Sequence, residues 1–483
     1  MKSIRATLLA TFLFTLIAVT QSLATTPPAN FKNPVFYATG GTLANAVAVA
    51  DLNGDNKPDL IVANQCVDTN CANGTIAVLL GNGTGTFQPA SVLPSGGART
   101  GAVVVADINH DAKLDIVAAN STDANIAVFM GNGNGTFQPA VTYSTGTLVY
   151  GLALADVNQD HILDAVVGTS AGVGALLGNN DGTFQNVLIS SPVGYGALAV
   201  ADLNGDGIPD AVVLNSSGSL FHPRENGSIA VVFGTGTGTF SAPLILDSLA
   251  FLPDSLAITD INTDGIPDVL VANYVGRINA NSGSVGLWYG DGNETFGPGV
   301  ETRVGGIHTY GLAAGDVNGD GIPDMVVSER DHVSVVLTNG QTRHYRASLT
   351  KGIAIADLNG DGQPDLAVAS TCGINCFGAG VAVLISTAAP TKTTVATSGS
   401  PSQLNQPVTF TATITSDRGP IANGKTITFF DGTKQIGTGT TSAGAATFTT
   451  SSLKAGTHTI KAKFPGYPFF KASTGTVQQI VNP

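Results

Sequence analysis

The chain has 483 residues, of which 43% are hydrophobic, 11% are charged and 60 are glycine. Its length admits two or more domains, and its apolar content excludes a disordered chain. The net charge is −13; spread uniformly it would argue against nucleic acid and anionic membranes, but most of it sits in a repeated acidic motif and says little about partners, and no nucleic acid is expected among them.

At the N-terminus, Lys2 and Arg5 precede an apolar run from Leu8 to Val19, and Ser22-Leu23-Ala24 offers a small-residue cleavage site. Residues 1–24 therefore read as an export signal cleaved after Ala24. The rival, a membrane anchor, needs about 20 apolar residues, and this run falls short. No later stretch reaches that length, so the mature chain is expected to be exported without a membrane span. Its expected address is secreted, periplasmic or cell-surface associated.

The segment "FKNPVFYATG" (31–40) follows, and then a nonamer appears seven times. The copies are "DLNGDNKPD" from Asp51, "DINHDAKLD" from Asp107, "DVNQDHILD" from Asp156 and "DLNGDGIPD" from Asp202. "DINTDGIPD" from Asp260, "DVNGDGIPD" from Asp316 and "DLNGDGQPD" from Asp357 complete the set. An apolar run such as "NAVAVA" precedes each nonamer and another such as "LIVAN" follows it. A loop, a third run such as "TIAVLLG" and a glycine-rich turn such as "GNGTGTF" come next. A fourth extended run is expected from Phe87, Phe137, Phe184, Phe240 and Phe296, and near Tyr345 in the sixth unit. Short β-branched runs bounded by Gly and Asn are strands. Four antiparallel strands repeated about every fifty residues describe a β-propeller.

The fold class is thus all-β: a seven-bladed propeller over 31–386 with calcium loops, a linker at 387–392, and a small β-sandwich over 393–483. The seventh unit has only three strands before the chain leaves it. Because "FKNPVFYATG" resembles "FQPAVTYSTG" (137–146), it is expected to supply the missing outer strand and close the ring. The runs "VTFTATITS", "KTITFFDG", "AATFTTS", "HTIKAKF" and "GTVQQIV" are the expected sandwich strands.

The nonamer is a set of oxygen donors. Position 1 is Asp51, Asp107, Asp156, Asp202, Asp260, Asp316 and Asp357. Position 3 is Asn53, Asn109, Asn158, Asn204, Asn262, Asn318 and Asn359. Position 5 is Asp55, Asp111, Asp160, Asp206, Asp264, Asp320 and Asp361. Position 7 offers the backbone carbonyls of Lys57, Lys113, Ile162, Ile208, Ile266, Ile322 and Gln363. Position 9 is Asp59, Asp115, Asp164, Asp210, Asp268, Asp324 and Asp365. Such a set suits Ca²⁺, which takes six to eight oxygens at about 2.4 Å and tolerates irregular geometry. Up to seven calcium ions are expected.

The nonamers hold 21 of the 34 acidic residues, so seven divalent ions would bring the charge from −13 to about +1. An EF-hand is excluded, because position 12 is Val62 or Val213 rather than Glu and the flanks are strands. A metal-free Asx turn is the remaining rival. Seven copies that keep the ninth Asp count against it, since unneutralised carboxylates this close repel.

These loops and the "GTF" turns resemble the FG-GAP/VCBS-type repeats of the integrin α-chain propeller and its bacterial relatives, over about residues 31–386. "TF" stands where integrins have "FG", which places the likeness with the bacterial branch. The resemblance implies calcium at all seven nonamers and implies nothing about integrin ligands. Residues 393–483 resemble bacterial Ig-like repeat domains through "VTFTATITS", "ITFFDGT" and "LKAGTHTIKAKF".

Four cysteines, Cys66, Cys71, Cys372 and Cys376, sit in loops just after a strand. Local disulfides Cys66–Cys71 and Cys372–Cys376 are expected in an oxidising compartment; a metal site is opposed by unequal spacing and no nearby His. No nucleophile elbow or phosphate loop is present, so no enzyme is expected. The face opposite the cation loops collects the irregular segments and the candidate ligand residues Tyr150, Tyr195, Arg224, Arg277, Asn281, His308 and Tyr310. These could bind an extracellular glycan or protein, or the tyrosine rings could plug the central channel. Extracellular binding or adhesion is the expected function. The alternatives are a polysaccharide lyase or hydrolase with an axial pocket, and a purely structural envelope or matrix protein.

Overall fold

Alternation of short β-branched runs with Gly- and Asn-rich turns yields an all-β chain. The computed structural model describes residues 31–68, 71–192, 196–215, 227–276, 282–338, 340–347, 350–371, 379–416 and 421–483. Among these there is no helix, and seven four-stranded antiparallel sheets precede two further sheets at the C-terminal end. The first sheet contains Thr42–Ala50, Asp59–Cys66, Thr75–Leu79 and Ser91–Pro94 in that order. Sheets two to six repeat this meander.

The first strand of each sheet is innermost. It neighbours the first strands of the sheets before and after it, and Thr42–Ala50 in sheet one also neighbours Thr350–Ala356 in sheet seven. The sheets therefore form a closed, propeller-like ring. The second strands, such as Asp115–Asn120 and Asp365–Ser370, are buried along their whole length. Covered on both faces, they read as continuous apolar runs rather than alternating ones.

The core lies between neighbouring sheets. Ile61, Ile76, Ile116 and Phe129 fill the gap between sheets one and two, and Leu79, Leu358 and Val381 fill the gap between sheets seven and one. Val35–Ala38 pairs antiparallel with Gly380–Leu384 and supplies the outer strand of sheet seven, as the sequence predicts. Phe31 adds a bridge to Ser386 and an edge-on contact with Tyr345, at 5.4 Å between ring centroids.

The outer strands begin later than expected. Phe87, Phe137, Phe184, Phe240 and Phe296 each make one isolated bridge across the glycine turn. The regular outer strand of sheet one starts at Ser91 and that of sheet two at Val141. Pro89 and Pro139 lie between bridge and strand, and proline has no N–H to give a ladder.

At the C-terminal end, Thr391–Thr397, Val408–Ser416 and Ala445–Thr450 form one sheet. Ser402–Gln403, Ser473–Asn482, Gly456–Phe464, Thr426–Asp431 and Lys434–Thr440 form the other. Phe410, Phe429, Ile460 and Phe464 are fully buried between them. Ala389, inside the expected linker 387–392, is already part of this core, and Thr391 already pairs as strand.

Candidate functional site

The nonamers join first to second strands, and the glycine turns join third to fourth. Both connections lie at one end of each antiparallel sheet, and the position-9 carboxylate ties them together. Asp59 accepts the N–H of Leu52 at 2.9 Å from its own loop and that of Gly81 at 2.7 Å from the turn. The same pair of bonds is made by Asp115, Asp164, Asp210 and Asp268. Asp365 pairs Leu358 with Ser386 instead, where the chain leaves the ring. All seven position-9 residues are fully buried. The turns also reach backward: the N–H groups of Gly85, Gly135 and Gly238 donate to Leu358, Leu52 and Val157 in the loops of the preceding sheets.

Within a loop the oxygens fold inward. Asp51 accepts the N–H groups of Gly54 at 2.8 Å and Asn56 at 2.7 Å, Asn53 accepts that of Asp55, and Asp55 accepts that of Lys57. This winding requires a left-handed residue at position 6. Four loops use Gly there, while Asn56, Ala112 and His161 adopt φ of 59°, 64° and 68°. Among the described residues no group of three or more His, Cys, Asp or Glu side chains stands in metal-holding geometry. The donor chemistry nonetheless fits a hard cation: only oxygen is offered, and a carboxylate with two N–H partners still has lone pairs to give.

Electrostatics follow burial. Loss of water raises the carboxyls of Asp164, Asp210 and Asp365 to about 6 and that of Asp324 to about 8, with the position-1 or position-5 carboxylates of the same loop adding to the rise. In loops one and two, Lys57 lies 2.9 Å from Asp55 and Lys113 lies 3.0 Å from Asp111. Those ammonium groups hold the two exposed carboxyls below the usual range.

The opposite end of the ring carries an axial cavity of about 480 Å³. It is built by one register position, the residue six places before the first Asp of each nonamer. Around the ring these are Asn45, Gly101, Tyr150, Gly196, Asp254, Tyr310 and Lys351, and all seven line the cavity. Of this set only Tyr150 and Tyr310 stand out in the sequence as candidate ligand residues. Aligning the repeats on the first Asp would have found the other five.

The two halves of the mouth differ. Lys351 extends over the Tyr310 ring, 4.3 Å from its centroid, to meet Asp254 at 3.1 Å. Gln65 donates to Asn45 at 3.0 Å, and Asn45 donates to the Gly101 carbonyl at 2.6 Å. Gly101 and Gly196 leave notches beside Tyr150, which is 36% exposed. Tyr150 and Tyr310 both line the cavity.

His308 lies outside the cavity lining and stacks on Tyr274 at 4.0 Å, and Tyr274 meets Tyr310 edge-on. Burial and the neighbouring Tyr274 push the Tyr310 hydroxyl up to about 12. Tyr195, Arg224, Arg277 and Asn281 lie outside the described residues, as do Cys372 and Cys376. Cys66 and Cys71 form the expected disulfide.

Comparison with known proteins follows this division. The chain matches the FG-GAP-like repeat family at residues 51–118, 109–167, 156–213 and 260–327. It matches the bacterial Ig-like domain (group 3) family at residues 386–482. No curated protein sequence matches it. Among solved structures it is similar to an Agrocybe aegerita lectin described as recognising non-reducing terminal N-acetylglucosamine. That likeness has 19% identity over 67% of this chain and 91% of the lectin, with a TM-score of 0.47. The V. cholerae biofilm matrix protein Bap1 aligns at 16% identity over 74% of this chain and 91% of its own, with a TM-score of 0.41. The extracellular domain of BT4673 from B. thetaiotaomicron aligns at 12% identity over 94% of this chain and 59% of its own, with a TM-score of 0.41.

Proposed function

Because the chain belongs to the FG-GAP-like repeat proteins, with a bacterial Ig-like domain of group 3 after the repeats, we propose that it is an exported, calcium-stabilised seven-bladed propeller that binds an extracellular ligand. Calcium would be held by positions 1, 3, 5 and 9 and the carbonyl of position 7 of each nonamer. There it would neutralise the clustered carboxylates and fix the loop between first and second strands. Export accords with the residues 1–24 that read as a signal, and among the described residues no helix is long and apolar enough to cross a membrane.

The axial mouth carries the binding reading. Its volume lies in the range of small-ligand sites, roughly 300–1,000 Å³. An exposed Tyr150 ring, the uncharged Asn45, Gln65 and Ser121, and one Lys–Asp pair suit a sugar. A sugar presents apolar faces to stack and hydroxyls that both donate and accept. A glycan end is therefore favoured over an extended peptide.

The convergence of Tyr310 with Lys351 also favours a second reading, a polysaccharide lyase. Two observations count against it. The Lys351 ammonium lies over the ring and is engaged by Asp254, and the hydroxyl is pushed up, whereas a general base needs a pKa near the working pH.

A glycan and peptide array probed with and without calcium tests the proposal. Saturable glycan binding that falls at least about tenfold in Tyr150→Ala and Lys351→Ala, with unchanged melting, is the expected result. Binding indifferent to both substitutions would move the ligand off the axial mouth. Cleavage of an array polysaccharide would turn the assignment to an enzyme.

A further inference from the structure

The Ig-like domain touches the ring at two of its seven loops. Its contact element is the turn Tyr467-Pro468-Phe469-Phe470, closed by the Tyr467 N–H donating to Phe470 at 3.1 Å and the Phe470 N–H donating to Tyr467 at 2.9 Å. The turn is firmly held: Phe470 is buried in the sandwich core, and the Tyr467 hydroxyl accepts the Ala422 N–H at 3.2 Å. Its tip meets the ring. A β-carbon on Gly319, at position 4 of loop six, would collide with the Phe469 ring, and one on Gly362 in loop seven would lie 3.3 Å from Pro468.

Two features separate this contact from casual packing. Phe469 sits at φ 76°. A turn with Pro at its second position and positive φ at its third favours Gly or Asn there. Phe is strained in that backbone, so the ring is what the position supplies.

Loop six also differs from its counterparts. Asn318 is fully buried and Asp320 half-buried, whereas the equivalent residues of the other six loops are partly or fully exposed. At position 4, His110, Gln159 and Thr263 are accommodated at φ of 57°, 63° and 62° in other loops. Position 4 therefore tolerates side chains, and at Gly319 the excluded volume is that of Phe469.

We propose that the sixth loop is the seat of the chain's own Ig-like domain, and that cation binding in this loop and seating of the domain strengthen each other. This rests on the calcium reading of the nonamers. Without a cation, seating covers the Asp320 carboxylate, whose equivalents the other loops leave exposed, while it remains uncompensated beside Asp316, and buried unpaired charge is costly. A bound cation removes that cost. By reciprocity, a seated domain raises the affinity of loop six by the same factor. The domain is thereby a cation-dependent arm, seated more firmly against the ring when loop six is filled than when it is empty.

Loop four provides an internal control. "DLNGDGIPD" and "DVNGDGIPD" differ only at position 2, and nothing lies within 4 Å of a β-carbon on Gly205. Hydrogen exchange of the full chain across a calcium titration compares residues 202–210, 316–324 and 466–471 in one sample. In the native chain, loop six is expected to gain protection at about fivefold lower calcium than loop four, the small end of typical couplings.

Gly319→Gln and Phe469→Gly should bring the two loops together and deprotect 466–471 even at saturating calcium. Gly205→Gln, which carries the same backbone cost, should leave loop six and the turn as they were. Coincident titration of loops four and six in the native chain, or a difference that survives Gly319→Gln, overturns the coupling alone. If neither loop responds to calcium, the calcium reading falls and the coupling falls with it.

Discussion

At the residue scale, the informative position is the ninth Asp of the nonamer. The sequence suggests a cation ligand, and the structure adds a second duty. One carboxylate joins the loop to the glycine turn through two N–H groups, as Asp210 does with the buried Leu203 and the partly buried Gly234. Asp210→Ala would leave both donors without this partner, one of them in a fully buried site. The expected cost is roughly 2–4 kcal/mol even in calcium-free protein. Asp202→Ala removes a carboxylate whose partners, the N–H groups of Gly205 and Gly207, are exposed, so calcium-free stability should change little. Urea unfolding of both variants with and without calcium checks this. Equal loss in the calcium-free state would mean that position 9 is no brace. The brace was not legible in the sequence because one of its two partners lies outside the nonamer: Gly234 is 24 residues from Asp210.

At the element scale, most of the ring was legible. Four strands per repeat, the shared end of loops and turns, and closure by an N-terminal strand all follow from patterns of apolar runs. The start of the outer strands was not, because Phe87 and its equivalents look like strand residues and make one bridge only. Three sandwich strands were also missed. Lys434–Thr440, "KQIGTGT", is polar and glycine-bearing, and its place at the edge of a sheet is set by tertiary pairing rather than by its own preference. The axial site was half legible for a related reason. Aromatic residues draw attention singly, whereas the ring of Asn45, Gly101, Gly196, Asp254 and Lys351 emerges only from register. Closure itself has a measurable cost when removed. A chain shortened to begin at Thr42 loses Phe31, Phe36 and Tyr37 and bares the edge of Gly380–Leu384. Three aromatic side chains losing partial burial amount to roughly 4 kcal/mol or more. Melting unchanged from that of the mature chain would refute the closing role of this strand.

At the scale of the whole molecule, the buried loop carboxyls make stability depend on pH in a direction set by calcium. In calcium-free protein Asp164, Asp210 and Asp365 titrate near 6, Glu329 near 7 and Asp324 near 8. Each lies above its unfolded value of about 4. A raised folded value means that the native state holds protons which the unfolded chain has released. The contribution is therefore full below about pH 4 and is lost as pH rises through 6 to 8. Calcium-free protein should melt at a higher temperature at pH 5 than at pH 8. Calcium competes with the protons of the four loop aspartates, though not with that of Glu329 at the far end of its strand, so its stabilising increment should grow over the same interval. Thermal scans at pH 5, 6, 7 and 8 with depleted and saturating calcium test both signs. A calcium-free melting temperature that climbs with pH would show that other groups dominate.

The place where the ring is joined also has a mechanical meaning. Val35 lies opposite Val383 and Ala38 opposite Gly380, and the Lys32 N–H donates to the Ile385 carbonyl beside them. Phe31 and Ser386 are thus at the same end of one antiparallel pair. Bonds in such a pair run perpendicular to the strands. A pull on Phe31 against Ser386 would load them one at a time, from Phe31 toward Ala38, as a zipper opens. A ring stitched sheet to sheet against heat and denaturant is thereby least protected against tension between its own two ends. A tether at those ends would behave as a fuse that opens at the seam before any other sheet is strained.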